Sequence, residues 1–278
     1  MIDSLVSADW LAGALGDPDL HVLDATYFAL DPTRDARAAF ESGHVPGAMF
    51  LDLEHLADPA SELPGTVPPA SLVSERLSAL GLSNDHRIVL YDGAPHHTAF
   101  RAWWLLRLFG ARHGAVLDGG WRAWIASGGA IATGPASPRL PGRFEAALDS
   151  RTLRTIAQMR TATAQIVDAR SAARFTGDER DPRPGVAPGH IPGSRNLPYG
   201  ALFDATGRLK DDAAIAAAFA AAGIDPAQPV VTTCGSGVTA AILAFALDRL
   251  GNPDVALYDG SWSEWGANST TPKAIGPA

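Results

Sequence analysis

Cysteine is almost absent, Cys234 being the only one among 278 residues. A lone thiol excludes an internal disulfide, a Cys-x-x-Cys redox pair and a cysteine zinc site within the chain. Oxidation at Cys234 could resolve only through another molecule. The loop that follows, Cys234-Gly235-Ser236-Gly237-Val238-Thr239, has no lysine and so is not a nucleotide P-loop. The sixth residue beyond the thiol is Ala240, where a cysteine phosphatase needs an arginine fork to clamp phosphate. Its Gly-Ser-Gly triplet alone is a weak dinucleotide signal.

Long apolar runs are missing as well. The alanine-rich residues 213–222 are too short to span a bilayer and read as a packed helix. Met1-Ile2-Asp3-Ser4 offers neither a basic stretch nor an apolar core, so no secretory signal is expected. Basic excess is lacking too: the net charge of −8 argues against a nucleic-acid footprint. The expected partners therefore include no nucleic acid and no membrane, and the single free thiol suggests the cytoplasm.

What is present is a folded chain, 46% hydrophobic and 19% charged, long enough for two domains. It repeats itself once. His21-Val22-Leu23-Asp24-Ala25 matches Gln165-Ile166-Val167-Asp168-Ala169, Gly43-His44-Val45-Pro46-Gly47 matches Gly189-His190-Ile191-Pro192-Gly193, and Asp118-Gly119-Gly120-Trp121 matches Asp259-Gly260-Ser261-Trp262. The offsets are 144, 146 and 141 residues, so order and spacing are kept and the chain is a duplicated domain. Short apolar strands alternate with helical segments, as in 87–91 (strand), 98–109 (helix) and 115–117 (strand). That alternation predicts an α/β fold in each copy, a parallel sheet flanked by helices.

Residues 133–142 are rich in proline and glycine without periodicity, which divides the chain into 1–132, a linker at 133–149, and 150–278. Residues 268–278 are expected as a mobile tail.

Cys234 follows the β-branched run 229–233 and precedes a helical pattern from Ala240 to Leu250. Ligands of such sheets bind beyond the carboxyl ends of strands, and there the N–H groups of a loop and a helix start converge on an anion. A sulfur-borne charge is stabilised at that place, so Cys234 is the candidate nucleophile. Aligning the two copies puts Asp92 at the place of Cys234, so only the C-terminal copy carries the thiol and the first reads as a non-catalytic scaffold.

The Cys-Gly-Ser-Gly-Val-Thr loop, the paired Gly-His-x-Pro-Gly segments and Tyr258-Asp259-Gly260-Ser261-Trp262-Ser263-Glu264-Trp265 together resemble the two-domain rhodanese family of sulfurtransferases. The resemblance spans nearly the whole chain and is closer to the branch that uses 3-mercaptopyruvate. Thiosulfate-using relatives typically carry Arg-Lys after the cysteine, where this chain has Gly235-Ser236. The resemblance implies tandem rhodanese-like domains, a Cys234 persulfide cradled by residues 235–239 (Gly235, Gly237, Val238 and Thr239 among them), and no cofactor or metal. It also implies Arg174 and Arg183 for the donor's carboxylate or keto group, and Ser236 beside the reacting sulfur. The implied partners are a small-molecule sulfur donor and a thioredoxin-like or small-thiol acceptor, or cyanide. Arg170 and Arg180 lie close by in sequence, and solvated loop arginines are the plain alternative for this group.

Over residues 52–64 the chain departs from that family. The histidine and aspartate that relatives couple to the loop serine have no clear counterparts, with His55 displaced and Glu54 in the acidic place. Proton delivery is left to water or another group. His44 and His190 read as backbone-binding turn residues, His96-His97 lack ligand-spaced partners, and Arg101 matches a family position facing the other domain. Three readings stand beside the main one: a thiosulfate:cyanide sulfurtransferase, a persulfide-relay binding module, and a peroxide-sensing thiol.

Overall fold

The computed structural model describes residues 2–29, 31 and 33–278. It divides into two compact units, Met1–Pro59 with Val67–Asp149 and Thr206–Arg208, and Ala60–Thr66 with Ser150–Ala205 and Leu209–Ala278.

The first unit contains β1 (Leu5–Val6), β2 (Leu20–Asp24), β3 (Met49–Phe50), β4 (Arg87–Tyr91) and β5 (Gly114–Leu117) in the order β1-β5-β4-β2-β3. The second contains β6 (Leu153–Arg154), β7 (Gln165–Asp168), β8 (Arg195–Asn196), β9 (Val230–Thr233) and β10 (Val255–Tyr258) in the order β6-β10-β9-β7-β8. Every pairing is parallel, and the second order is the first one repeated strand for strand. The expected α/β duplication is therefore the observed fold. Central parallel strands lie between layers of helices, which is why β4 and β9 read as near-continuous apolar runs.

Each sheet is closed by its own core. In the first unit Val22, Val89 and Tyr91 pack with Leu11, Phe40 and Trp124; in the second Ile166, Val231 and Tyr258 pack with Met159, Ile191 and Trp262. The expected helix after Cys234 runs Ala240–Arg249, and Ala240 to Leu247 are all buried. The alanine-rich segment is the helix Asp212–Ala221, N-capped by Asp211, whose carboxylate accepts from Ala214 N–H. No helix among the described residues is long and apolar enough to cross a membrane.

The two turn histidines hold backbone in the same way. His44 Nδ1 lies 2.9 Å from the Phe40 carbonyl and stacks on that ring, and His190 Nδ1 lies 2.9 Å from the Phe175 carbonyl and stacks likewise. Beside each turn a later segment returns as an antiparallel bridge, Ala132 to His44 and Ala274 to His190. The second bridge corrects the expectation of a mobile tail. Trp265 Nε1 donates to the Pro272 carbonyl at 2.7 Å, and Thr271 is buried with its hydroxyl on the Trp265 and Asn268 carbonyls. Polarity suggested a solvated end, but those side chains serve as internal hydrogen-bond partners.

Residues 133–149 form almost no regular structure yet run along the first unit: Gly142 N–H bonds Ser78 O, Phe144 N–H bonds Ser78 Oγ and Ala146 N–H bonds Ser74 Oγ. Arg139 clasps this strap. Its Nη2 donates to the Gly47 carbonyl and its Nη1 lies 3.1 Å from Nδ1 of the buried His21, whose ring stacks on His86 at 4.2 Å. A guanidinium can only donate, so His21 Nδ1 accepts and the ring is neutral. Burial, then the neighbouring His86, then Arg139 push the His21 pKa down to about 4, with only Asp19 acting in the other sense.

Unfolded, that ring takes its proton near pH 6.5, so between there and about 4 the unfolded chain binds more protons than the folded one. Stability therefore falls with falling pH across this window, by up to about 1.4 kcal/mol per pH unit. Thermal melts at stepped pH should show the drop, and His21→Phe should flatten it; an equally steep drop in the variant would assign it elsewhere.

Candidate active site

β9 ends at Thr233 and the next residue is Cys234, at the carboxyl edge of the sheet and 2% exposed. The chain then turns through residues 235–239. Gly237 has φ +78°, a left-handed conformation that a side chain would strain. The helix Ala240–Arg249 begins at Thr239 without a side-chain cap, and the N–H groups of Ala241 and Ile242 donate to the Val238 and Thr239 carbonyls. Val238 is buried, and Ser236 and Thr239 are half-buried.

The helical segment Ser261–Trp265 holds this turn from below. Trp262 N–H donates to the Cys234 carbonyl at 3.0 Å and Ser263 N–H to the Gly235 carbonyl at 2.9 Å. Trp262 is itself fixed, its Nε1 donating to the Ala187 carbonyl. Both tryptophans, Trp262 and Trp265, are buried packing residues, as expected.

Arg174 and Arg183, 60 and 51 residues before Cys234 in the chain, meet at the turn. A β-carbon on Gly235 would come within 3.2 Å of Arg174 Nη2 and 3.3 Å of Arg183 Nη1. The absent side chain is the room into which both guanidiniums fit. Asp181 joins them, its carboxylate accepting from Arg174 Nη2 at 2.5 Å, from Arg183 Nη1 at 3.2 Å and from the Arg183 backbone N–H at 3.0 Å.

Asp181 is 1% exposed at its side chain. Burial opposes its charge, but the Arg183 N–H and the Arg174 and Arg183 guanidiniums outweigh burial and hold its carboxyl below the usual range. Arg174 Nε is buried without a partner among the described residues, a donor that an incoming oxygen would satisfy. Two cations beside one carboxylate leave a net positive face at the loop.

The neighbouring arginines do other work. Arg170 is buried, forks onto Asp168 and lies 4.7 Å over the Trp262 ring, while Arg180 is exposed. Arg101 is buried with its guanidinium 4.6 Å over the Trp104 ring. His55 is exposed and pairs with Asp52 at 3.0 Å. No cluster of three metal-ligating side chains occurs among the described residues.

Sequence reasoning missed the part of Asp181. The signal was available in Asp181-Pro182-Arg183, a carboxylate two residues from a substrate arginine, but the pairing to Arg174 exists only in three dimensions. Ser261 was missed as well, being read only as part of a motif.

Asp92 occupies the equivalent strand end in the first unit, and its geometry explains why that copy differs. Its Oδ1 accepts from Ala94 N–H and its Oδ2 from Ala99 N–H, both at 2.9 Å, so a carboxyl group of the chain itself occupies those donors. Burial, against those two N–H groups, raises its pKa to about 7.

This is a duplicated α/β protein with one strand-end loop that bears a thiol beside two arginines. A rhodanese-like domain model matches residues 7–127 and again 153–268. The chain is 39% identical to the 3-mercaptopyruvate sulfurtransferase of Rattus norvegicus over 272 residues, 94% of this chain and 91% of that one. It is also 39% identical to the thiosulfate sulfurtransferase of Cricetulus griseus, over 94% of this chain and 91% of that one. The solved structure of SseA from Escherichia coli, described as a 3-mercaptopyruvate sulfotransferase, superposes with a TM-score of 0.85 at 35% identity, covering 94% of this chain and 99% of that one. The chain belongs to the rhodanese-like family, as a sulfurtransferase with two such domains in tandem.

Proposed function

We propose that the chain transfers sulfur from 3-mercaptopyruvate to a thiol or cyanide through a persulfide on Cys234. The observation that carries the donor choice is the pair Arg174 and Arg183, converging on Gly235 with Asp181 between them. A planar carboxylate fits two guanidinium forks by parallel charge-assisted hydrogen bonds. Overall identity does not separate the donors, since it is 39% to relatives of both names.

In the first step the Cys234 thiolate attacks the donor sulfur. The donor's carbon–sulfur bond breaks with its electron pair left on carbon, and the resulting enolate takes a proton to become pyruvate. The sulfur remains as a persulfide anion, facing the N–H groups of Gly235, Ser236, Gly237, Val238 and Thr239. In the second step an acceptor thiolate attacks the outer sulfur, the sulfur–sulfur bond breaks and Cys234 leaves as thiolate. Splitting the transfer this way predicts ping-pong kinetics.

Ser236 stands in the loop with a hydroxyl that can donate to the donor or to the outer sulfur. The proton for pyruvate comes from water or a group outside the usual serine relay, since His55 is engaged with Asp52. Asp92 makes the first unit a scaffold by filling its own cradle. Thioredoxin-like dithiols and small thiols suit the second step, and the single thiol supports a reducing, cytoplasmic setting.

Pyruvate release from 3-mercaptopyruvate with a thiol acceptor, run beside thiosulfate with cyanide, tests this reading. Mercaptopyruvate should be preferred by at least about tenfold in kcat/KM, the margin that one added charge-assisted hydrogen bond supplies. A preference for thiosulfate would overturn the donor assignment.

A further inference from the structure

Ser261 is the second residue of the Gly260-Ser261-Trp262 turn and one of only two non-glycine residues with positive φ among the described residues, at +49°. It is fully buried. Its hydroxyl oxygen accepts the backbone N–H of Cys234 at 3.2 Å and lies 3.4 Å from Thr233 Oγ1, while its own proton goes to the Tyr258 carbonyl at 2.8 Å. One side chain thus ties the last residue of β10 to the residue that bears the thiol.

The duplicated domain provides an internal comparison. The matching residue is Gly120, with φ +54°, and Trp121 N–H donates to the Asp92 carbonyl just as Trp262 N–H donates to that of Cys234. Both copies thus share the left-handed residue and the N–H bond to the strand-end carbonyl, while the preceding glycine differs, Gly119 at φ +76° and Gly260 at φ −59°. At Gly120 an added β-carbon would sit 2.4 Å from the Asp92 carbonyl oxygen, so the copy without a thiol leaves no room for a side chain. Glycine meets a left-handed position at no steric cost, whereas serine is strained there. The catalytic copy carries the strained residue, and that residue's hydroxyl grips the nucleophile's own N–H. A non-glycine residue kept at positive φ in only one of two corresponding positions points to a use for the side chain.

We propose that Ser261 is a positioning residue for sulfur transfer, fixing the Cys234 backbone so that its sulfur faces the loop N–H groups. This rests on Cys234 being the sulfur carrier. By holding Cys234 N–H from the strand side, Ser261 sets the direction in which the Cα–Cβ bond leaves the turn. Donor binding lies with Arg174 and Arg183, whose places do not depend on Ser261.

The test is Ser261→Gly, which Gly120 shows to be compatible with this turn, with Ser261→Ala as the second variant should the first not fold. Three quantities are compared per folded molecule: kcat for pyruvate release, KM for 3-mercaptopyruvate, and the rate at which iodoacetamide alkylates Cys234, the only thiol in the chain. Expected is a kcat lower by about tenfold, the worth of one net hydrogen bond, with KM within about twofold and alkylation slowed. Unchanged kcat and alkylation, or a loss confined to the melting temperature, would overturn the proposal. A wild type that releases no pyruvate would refute the donor chemistry instead, and the alkylation comparison would still decide the part played by Ser261.

Discussion

Cys234→Ser is expected to lower pyruvate release from 3-mercaptopyruvate by more than about a thousandfold, the scale on which removal of a covalent nucleophile acts. The substitution changes one atom. A serine hydroxyl stays protonated at neutral pH and is a poor nucleophile towards sulfur, whereas sulfur in its thiolate form is intrinsically a strong one. The fold should barely notice. Cys234 is a small buried side chain, and its backbone contacts to Ser261 and Trp262 are kept by serine. The melting temperature should stay within a few degrees, a change of about 1 kcal/mol. Intact mass of the wild type after exposure to donor should rise by one sulfur atom and fall back on adding a thiol, with the variant unchanged throughout. A variant that still gained sulfur would place the carrier elsewhere.

Asp181→Ala is expected to lower kcat/KM for 3-mercaptopyruvate by about a hundredfold, mostly through KM, because it releases both arginines at once. The side chain of Asp181 is 1% exposed and binds Arg174 at 2.5 Å and Arg183 at 3.2 Å. Without it two like charges face each other beside Gly235 and swing apart, and the forks no longer present parallel donors to a carboxylate. Binding of the carboxylate persists from ground state to transition state, so its loss shows in KM first. Arg174→Lys should share the defect, since an ammonium lacks the fork. Steady-state kinetics with the thiol acceptor held saturating measures both. An unchanged KM in Asp181→Ala would show that the arginines do not bind the donor.

The candidate site was legible in the sequence wherever chemistry is carried by consecutive residues. Cys234 to Thr239 announced a strand-to-helix turn, and in the structure β9 ends at Thr233 and a helix begins at Ala240. The strand 87–91 and the helix expected over 98–109, observed as Ala99–Leu108 between Thr98 and Phe109, were equally plain, because buried parallel strands and their helices write long apolar runs. Asp92 was located by alignment, but its action was not: it fills the cradle with its own carboxylate, which required seeing Ala94 and Ala99 N–H on its two oxygens. The tail failed as a reading because Thr271 and Pro272 look solvated in sequence, while their polar atoms complete the hydrogen bonding around Trp265.

By itself the sequence determined the duplication, the parallel α/β class, the single thiol at a strand end and the family, since each is written in local periodicity, motif order or the count of one residue type. The resemblance singled out Arg174 and Arg183, but only the tertiary structure decided what holds each of the four neighbouring arginines. Arg170, Arg174, Arg180 and Arg183 are alike in composition and neighbours in sequence, but a guanidinium's role is set by the carboxylate or cavity it meets. Arg170 meets Asp168 beneath Trp262, whereas Arg174 and Arg183 share Asp181 at the space left open by Gly235. The same holds for Ser261, whose hydroxyl reaches Cys234 across 27 residues because β10 lies beside β9 in the sheet.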